Sequence, residues 1–376
     1  MIRIRARWPR VAVAVGAAST LAVTPVAAPA AYAAVPQPVG VTVGADGRLH
    51  LATTGAPTPA TGTPFAPPGA GVTITPGPDG TLAVFAIGTH GGLVAARTSA
   101  ASSGITVLQD GPTGLAPPGG HLDAITTTNG IHVFFTGNDG ALHTVTYPRF
   151  VTPGAGPRPV TAAGLAPPGA AVAATRQPDN NPGAAFVGVD GALHTVWRTT
   201  GGAWATVPAG PPQLAPAGGG VAATGLDTFF TGLDGALWYV RLTAGPLPDP
   251  WTAVAVAGAG TVPAGAHLAA AHFPTGPAVV LFAGHDGAIH ATTNAGGTWR
   301  PPSGTTAPGV ARPGAPVAAT ITGDQLLADW CGNSMWFRLR IPKPRGPHPE
   351  PWNATTFPFP SLPTIRAGLN VSAALI

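Results

Sequence analysis

Gly137-Asn138-Asp139-Gly140-Ala141-Leu142 lies between two apolar runs, Val133-Phe134-Phe135 before it and Leu142-His143-Thr144-Val145 after it. Asp-Gly between two such runs is a hairpin signal, because Asp tolerates and Gly supplies the positive φ that a tight turn needs. The same pattern recurs from Gly44 to Leu49, Gly88 to Leu93, Gly188 to Leu193, Gly232 to Leu237 and Gly284 to Ile289, with a degenerate copy from Trp330 to Met335. Equivalent positions are 44, 49, 51, 44, 52 and 46 residues apart. Asp46, Asp139, Asp190, Asp234 and Asp286 are therefore read as turn makers and not as catalytic carboxylates.

A repeat of this length with a hairpin in each unit is the period of a β-propeller blade. A second motif supports it: Phe65-Ala-Pro-Pro-Gly69, Leu115-Ala-Pro-Pro-Gly119, Leu165-Ala-Pro-Pro-Gly169, Leu214-Ala-Pro-Ala-Gly218, Val262-Pro-Ala-Gly265 and Val310-Ala-Arg-Pro-Gly314. Each ends one sheet and starts a strand of small and β-branched residues, such as Ala171 to Thr175, which suits the crowded innermost position around a central channel. Trp204, Trp251, Trp299 and Trp352 mark an outer strand in several repeats. No stretch keeps an apolar spacing of three and four, so almost no helix is expected. The first repeat begins at Val39 without an inner strand, while Ala367 to Leu375 reads as an inner strand with no blade after it. Pairing the two closes a ring and removes two open sheet edges. The expected fold is all-β: a seven-bladed propeller of four-stranded blades over residues 34–376.

Residues 1–33 read as a secretory signal peptide, with Arg3, Arg5, Arg7 and Arg10 ahead of an apolar run and Ala31-Tyr32-Ala33 as the cleavage site. The expected protein is secreted and extracellular, without membrane insertion. Losing the four leader arginines takes Lys plus Arg from 18 to 14, against 14 Asp plus Glu. That near-neutral balance, with no basic stripe, argues against nucleic acid as a partner. The single cysteine, Cys331, excludes an intramolecular disulfide and is expected to be buried.

The Gly-x-Asp-Gly-Ala-Leu turns followed by an aromatic or His, and then by Trp-led strands, resemble the seven-bladed propeller lectins that bind fucose and related sugars. More loosely they are similar to fungal fucose-specific lectins and tachylectin-like propellers. The resemblance covers nearly all of residues 34–376 and implies sugar pockets between neighbouring blades, each with an aromatic ring and polar side chains. The aromatic implied just after the motif Leu is present at Trp238 and Trp336. It is His at His50, His143, His194 and His290, and Val at Val94. Trp238, Trp336, Trp197, Arg198 and Arg241 are the implied sugar-binding candidates, since aromatic faces stack on sugar C–H groups and Arg donors hold hydroxyls.

The four motif histidines fall in different blades, which argues against a shared metal site, and no cofactor is expected. Thr292-Thr-Asn294-Ala-Gly296-Gly-Thr298-Trp299 resembles the Asp-box turn of sialidase-type propellers, a structural element. Glu350 is the only glutamate, and no facing carboxylate pair of the glycosidase kind stands out. Asp123, Asp227, Asp324 and Asp329 have no role from sequence. The leading expectation is a secreted, non-catalytic carbohydrate-binding protein whose partners are glycans or cell-surface glycoconjugates. The alternatives are a secreted protein-interaction scaffold and, third, a propeller hydrolase or lyase.

Overall fold

The computed structural model describes residues 38–376 except 53–56, 78–80, 100–101, 110, 149–155, 178, 242–252, 275, 296, 323, 333–334, 344–354, 360–370 and 376. The expected leader, Trp251 and Trp352 lie outside the described residues. Those described form seven antiparallel sheets and no α-helix. Blade 4 shows the unit: inner strand Val172–Arg176, middle strands Pro182–Val187 and Leu193–Arg198, and outer strand Trp204–Pro208, paired in that order. Blade 6 adds a short strand, Ser303–Gly304, beside Ile289–Ala295. Blade 1 takes its inner strand from the far end of the chain, as expected. Val371–Leu375 pairs with Pro38–Val43, setting Val39 opposite Ala374 and Val41 opposite Ser372.

The seven inner strands surround a channel cavity of about 240 Å³. Small side chains permit this crowding: Ala173 and Ala222 are buried against neighbouring strands. Outside the channel, alternation along a middle strand sends successive residues to opposite neighbouring blades. Phe134 packs with Val172 and Phe186 of blade 4, whereas Phe135 packs with Phe85 and Ile87 of blade 2. Both rings are fully buried, and burial of each such side chain contributes on the order of 1.5–3 kcal/mol. Trp204 sets its edge against Phe134 of blade 3, with ring centroids 5.8 Å apart, and Trp299 does the same to Phe229 of blade 5 at 5.0 Å. These two outer-strand tryptophans are thus part of the inter-blade core.

The two sequence motifs meet on one face of the ring. Turn glycines Gly47, Gly91, Gly140, Gly191, Gly235 and Gly287 have φ between 71° and 75°. Their carbonyls accept hydrogen bonds from the N–H of Ala66, Ala116, Ala166, Ala215, Val262 and Ala311 in the linkers, at 2.9–3.1 Å. Four of these linkers also tie to the next. The Gly119 carbonyl accepts from Gly71 N–H, that of Gly169 from His121, that of Gly218 from Ala171 and that of Gly314 from His267. Buried backbone groups need such partners, so the six crossings from blade 1 through to blade 7 are fixed by main-chain bonds as well as by packing.

Side chains hold the seam where the ring closes. Arg338 of blade 7 is buried and donates from Nε and Nη2 to the two carboxylate oxygens of Asp329, both at 2.8 Å. Its Nη2 also donates to the Ala52 carbonyl of blade 1, at 3.3 Å. Beside it Cys331 is buried as expected, and burial followed by the neighbouring Asp329 charge pushes its thiol pKa up. On the other side of blade 1, Ile74 N–H of blade 2 donates to Ser372 Oγ at 3.2 Å.

Removing one partner of a buried ion pair strands the other charge, at a cost of about 3–5 kcal/mol. Asp329→Ala is expected to lose stability on that scale in urea unfolding, and Asp329→Leu combined with Arg338→Met to recover most of it. A single variant that unfolds with the wild type would show that the pair does not hold the seam.

Candidate functional site

The turn face is built for stability. In each Asp-bearing turn one carboxylate oxygen accepts from the backbone N–H two residues on, at Arg48, Ala141, Ala192, Ala236 and Ala288. In four turns the same carboxylate also takes the Nε2–H of the motif histidine: His50 on Asp46, His143 on Asp139, His194 on Asp190 and His290 on Asp286, at 2.9–3.1 Å. Three of these imidazoles stack on the cross-strand phenylalanine of their own blade, Phe135, Phe186 or Phe282. The first glycine of the motif, which recurs from repeat to repeat, leaves the room, since a Cβ on Gly137 would lie 2.6 Å from Asp139 and 2.7 Å from His143. Each motif histidine is thereby committed inside its own blade. Among the described residues no group of three or more His, Cys, Asp or Glu is arranged to hold a metal ion.

Trp238 occupies the histidine position of blade 5. It stacks on Phe230 and packs into the core between blades 4 and 5, half-buried, and its Nε1–H is buried without a partner among the described residues. Trp197 and Arg198 are half-buried neighbours on one strand and so face opposite ways. Arg198 lies on the blade 3 side, where its charge acts on His132 and, after burial, helps lower the pKa of that imidazole to about 4. Trp197 points toward blade 5. Trp336 pairs through its backbone with Cys331 and Phe359, and its side chain is outside the described residues. The five candidates thus do not share one pocket.

One of them, Arg241, belongs to a cluster that sequence reasoning did not assemble. Asp227 and Arg241 are cross-strand partners in blade 5, and Asp227 Oδ1 accepts from Tyr239 Oη–H at 2.8 Å with Arg241 Nε 3.5 Å away. Burial first, and then the bond to Asp227, push the Tyr239 pKa up, so its hydroxyl stays a donor. Tyr239 leans on Trp299 of blade 6, with centroids 5.3 Å apart, and Trp299 stands opposite Asn294 on the adjacent strand. Trp299 Nε1 and Asn294 Oδ1 are both buried with no hydrogen-bond partner among the described residues. The junction of blades 5 and 6 therefore holds half-buried aromatic rings, an exposed guanidinium, a buried carboxylate, and a donor and an acceptor that are buried and unmet. Its signals in the sequence were Asp227, unassigned, and the Asp-box-like segment, read as structural. Nothing local indicated that the two would face each other.

The other unassigned aspartates are occupied. Asp123 accepts from Thr73 Oγ1–H of blade 2, from Ala124 N–H and from Ala174 N–H of blade 4, at 2.8–2.9 Å, joining three inner strands. Burial raises its pKa against the three bonds that lower it. Asp329 holds Arg338, and Asp324 is exposed beside Lys343 at a hairpin.

No protein-family model and no curated protein matches this chain. Solved structures do. The BP39L lectin from Burkholderia pseudomallei aligns with a TM-score of 0.76 at 25% identity, over 86% of this chain and 96% of that one. AofleA from Arthrobotrys oligospora aligns with a TM-score of 0.56 at 13% identity, over 81% and 88%. The Aleuria aurantia lectin in complex with Fucα1-6GlcNAc gives 0.51 at 13% identity, over 78% and 96%. At 13% identity the last two show the fold alone.

The turn carboxylates predict an acid response. Burial raises the pKa values of Asp46, Asp139, Asp190 and Asp286, but the bonds to His and to backbone N–H outweigh it and hold all four below the usual carboxylate range. A depressed native pKa contributes stability above the unfolded value, about 3.9, and that contribution is lost as the pH falls through the native one. Each carboxylate is partly solvent-exposed, so each pair contributes little and the sum is what is measurable. The unfolding midpoint is expected to fall between about pH 5 and pH 3, and replacing the four histidines with Gln to flatten that fall. An unchanged slope in the quadruple variant would refute the assignment.

Proposed function

We propose that this chain is an exported, non-catalytic carbohydrate-binding propeller that holds a monosaccharide in the cleft between blades 5 and 6. The observation that carries the reading is the pairing, beside the Tyr239 and Trp299 rings, of an unmet donor, Trp299 Nε1, with an unmet acceptor, Asn294 Oδ1. A sugar ring offers a C–H face for the half-buried aromatics and hydroxyls that both donate and accept, so one ligand satisfies both buried atoms once the Trp299 ring shifts to uncover them. Arg241 supplies further donors at the rim and Asp227 a further acceptor. Such sites combine apolar contact with a few placed polar groups.

Two of the solved neighbours support the class. One is a lectin from Burkholderia pseudomallei and the other the Aleuria aurantia lectin in complex with a fucosylated sugar, so fucose and its relatives are the first ligands to test. The bonding roles of Asp123, Asp324 and Asp329 support a reading without turnover, because a glycosidase needs two carboxyl groups facing one substrate. Trp238, Trp197 and Arg198 remain secondary positions on the other inter-blade surfaces, and Trp336 a further one.

A glycan array followed by titration calorimetry with the best monosaccharide tests the proposal. Arg241→Ala and Asn294→Ala are each expected to weaken binding about tenfold or more, equivalent to about 1.4 kcal/mol, with unchanged thermal midpoints. A blank array from correctly folded protein, or wild-type affinity in both variants, would overturn the assignment. Capture of a surface protein that free sugars fail to compete would favour the scaffold reading.

A further inference from the structure

The residue that leads into each inner strand sits at the mouth of the channel on the turn face. Among the described residues these are Gly71, His121, Ala171, Gly220, His267 and Pro316. Four are small or lack any polar side chain, as the crowding of the strands demands. The two that depart from this, in blades 3 and 6, are both histidine and meet across the opening, with ring centroids 4.8 Å apart and planes at 47°. Nothing in the repeat calls for imidazole here, and the two blades are not neighbours in the ring.

We propose that His121 and His267 form a binding site for a divalent first-row transition metal ion of the zinc, nickel or copper type. Imidazole nitrogens bind such ions at about 2.0–2.1 Å, and two rings bound at a roughly tetrahedral angle have centroids about 5 Å apart. The observed separation meets that spacing. Neither ring has a hydrogen-bonding partner among the described residues, whereas each of the four turn histidines commits its Nε2 to a turn aspartate. Burial lowers the pKa of His121, and burial together with the nearby His121 takes that of His267 to about 4. The main chain holds each histidine from behind, through the bonds from His121 N–H to the Gly169 carbonyl and from His267 N–H to the Gly314 carbonyl. With no third protein ligand among the described residues, water or an oxygen-bearing ligand in the channel completes the shell, and micromolar affinity is expected.

The inference is independent of the carbohydrate reading. Untagged protein titrated at pH 7.5 with copper(II), nickel(II) or zinc salts, by calorimetry and for copper by electron paramagnetic resonance, is expected to bind one equivalent with nitrogen hyperfine structure from two imidazoles. His121→Ala and His267→Ala should each weaken binding at least about thirtyfold. Both should fold, since Gly and Ala already fill the equivalent place in other blades. The exposed His285→Ala serves as control and should bind as the wild type does. No binding at 100 µM metal, or equal affinity in either channel variant, would overturn the proposal.

Discussion

The structure depends on the docking of each linker onto the Asp-Gly turn of the blade it leaves. A propeller crosses between sheets at every blade, and each crossing carries peptide groups that no sheet ladder can satisfy. Here the turn glycine, held at positive φ, presents its carbonyl to the linker alanine or valine, and in four linkers the glycine that ends the linker presents its own to the preceding linker. The prolines remove donors that would otherwise need partners and stiffen the path. One face of the ring thus carries main-chain bonds at the six crossings from blade 1 to blade 7. They set the spacing of the blades before side-chain packing refines it.

Packing then uses both faces of every sheet. Adjacent phenylalanines on a middle strand serve two neighbours, and the outer-strand tryptophans Trp204 and Trp299 reach back to the preceding blade. With the turn face consumed by its own bonds and the interiors filled by aromatics, polar groups without a role in the repeat gather where the repeat is broken. The cleft of blades 5 and 6 is one: Tyr239 and Arg241 replace the Thr144 and Thr146 of blade 3, and the Asp227 carboxylate stands where blade 3 has His132. The channel mouth is the other. In both, a polar or aromatic group occupies a position that elsewhere holds a smaller or differently charged one.

The same logic separates structural from available charge. Asp329 with Arg338 closes the seam and Asp123 joins three inner strands, so two buried carboxylates are tied to architecture. Asp227 differs because its partner Arg241 is largely exposed, leaving that ion pair open to a ligand at the rim.

The amino-acid sequence by itself determined the all-β class, the seven units, the turns at Asp-Gly, the small inner strands and the closure by Val371–Leu375. All of these rest on local chemistry repeated along the chain: a φ preference, a proline, an alternation, a missing strand at each end. The sequence did not show that Trp197 and Arg198 point to different neighbours, that Trp238 is packed against Phe230, or that His121 and His267 meet. Those facts belong to the tertiary structure, because each requires side chains from separate blades. The distance between two blades is decided by the curvature of the whole ring and by nothing within either segment.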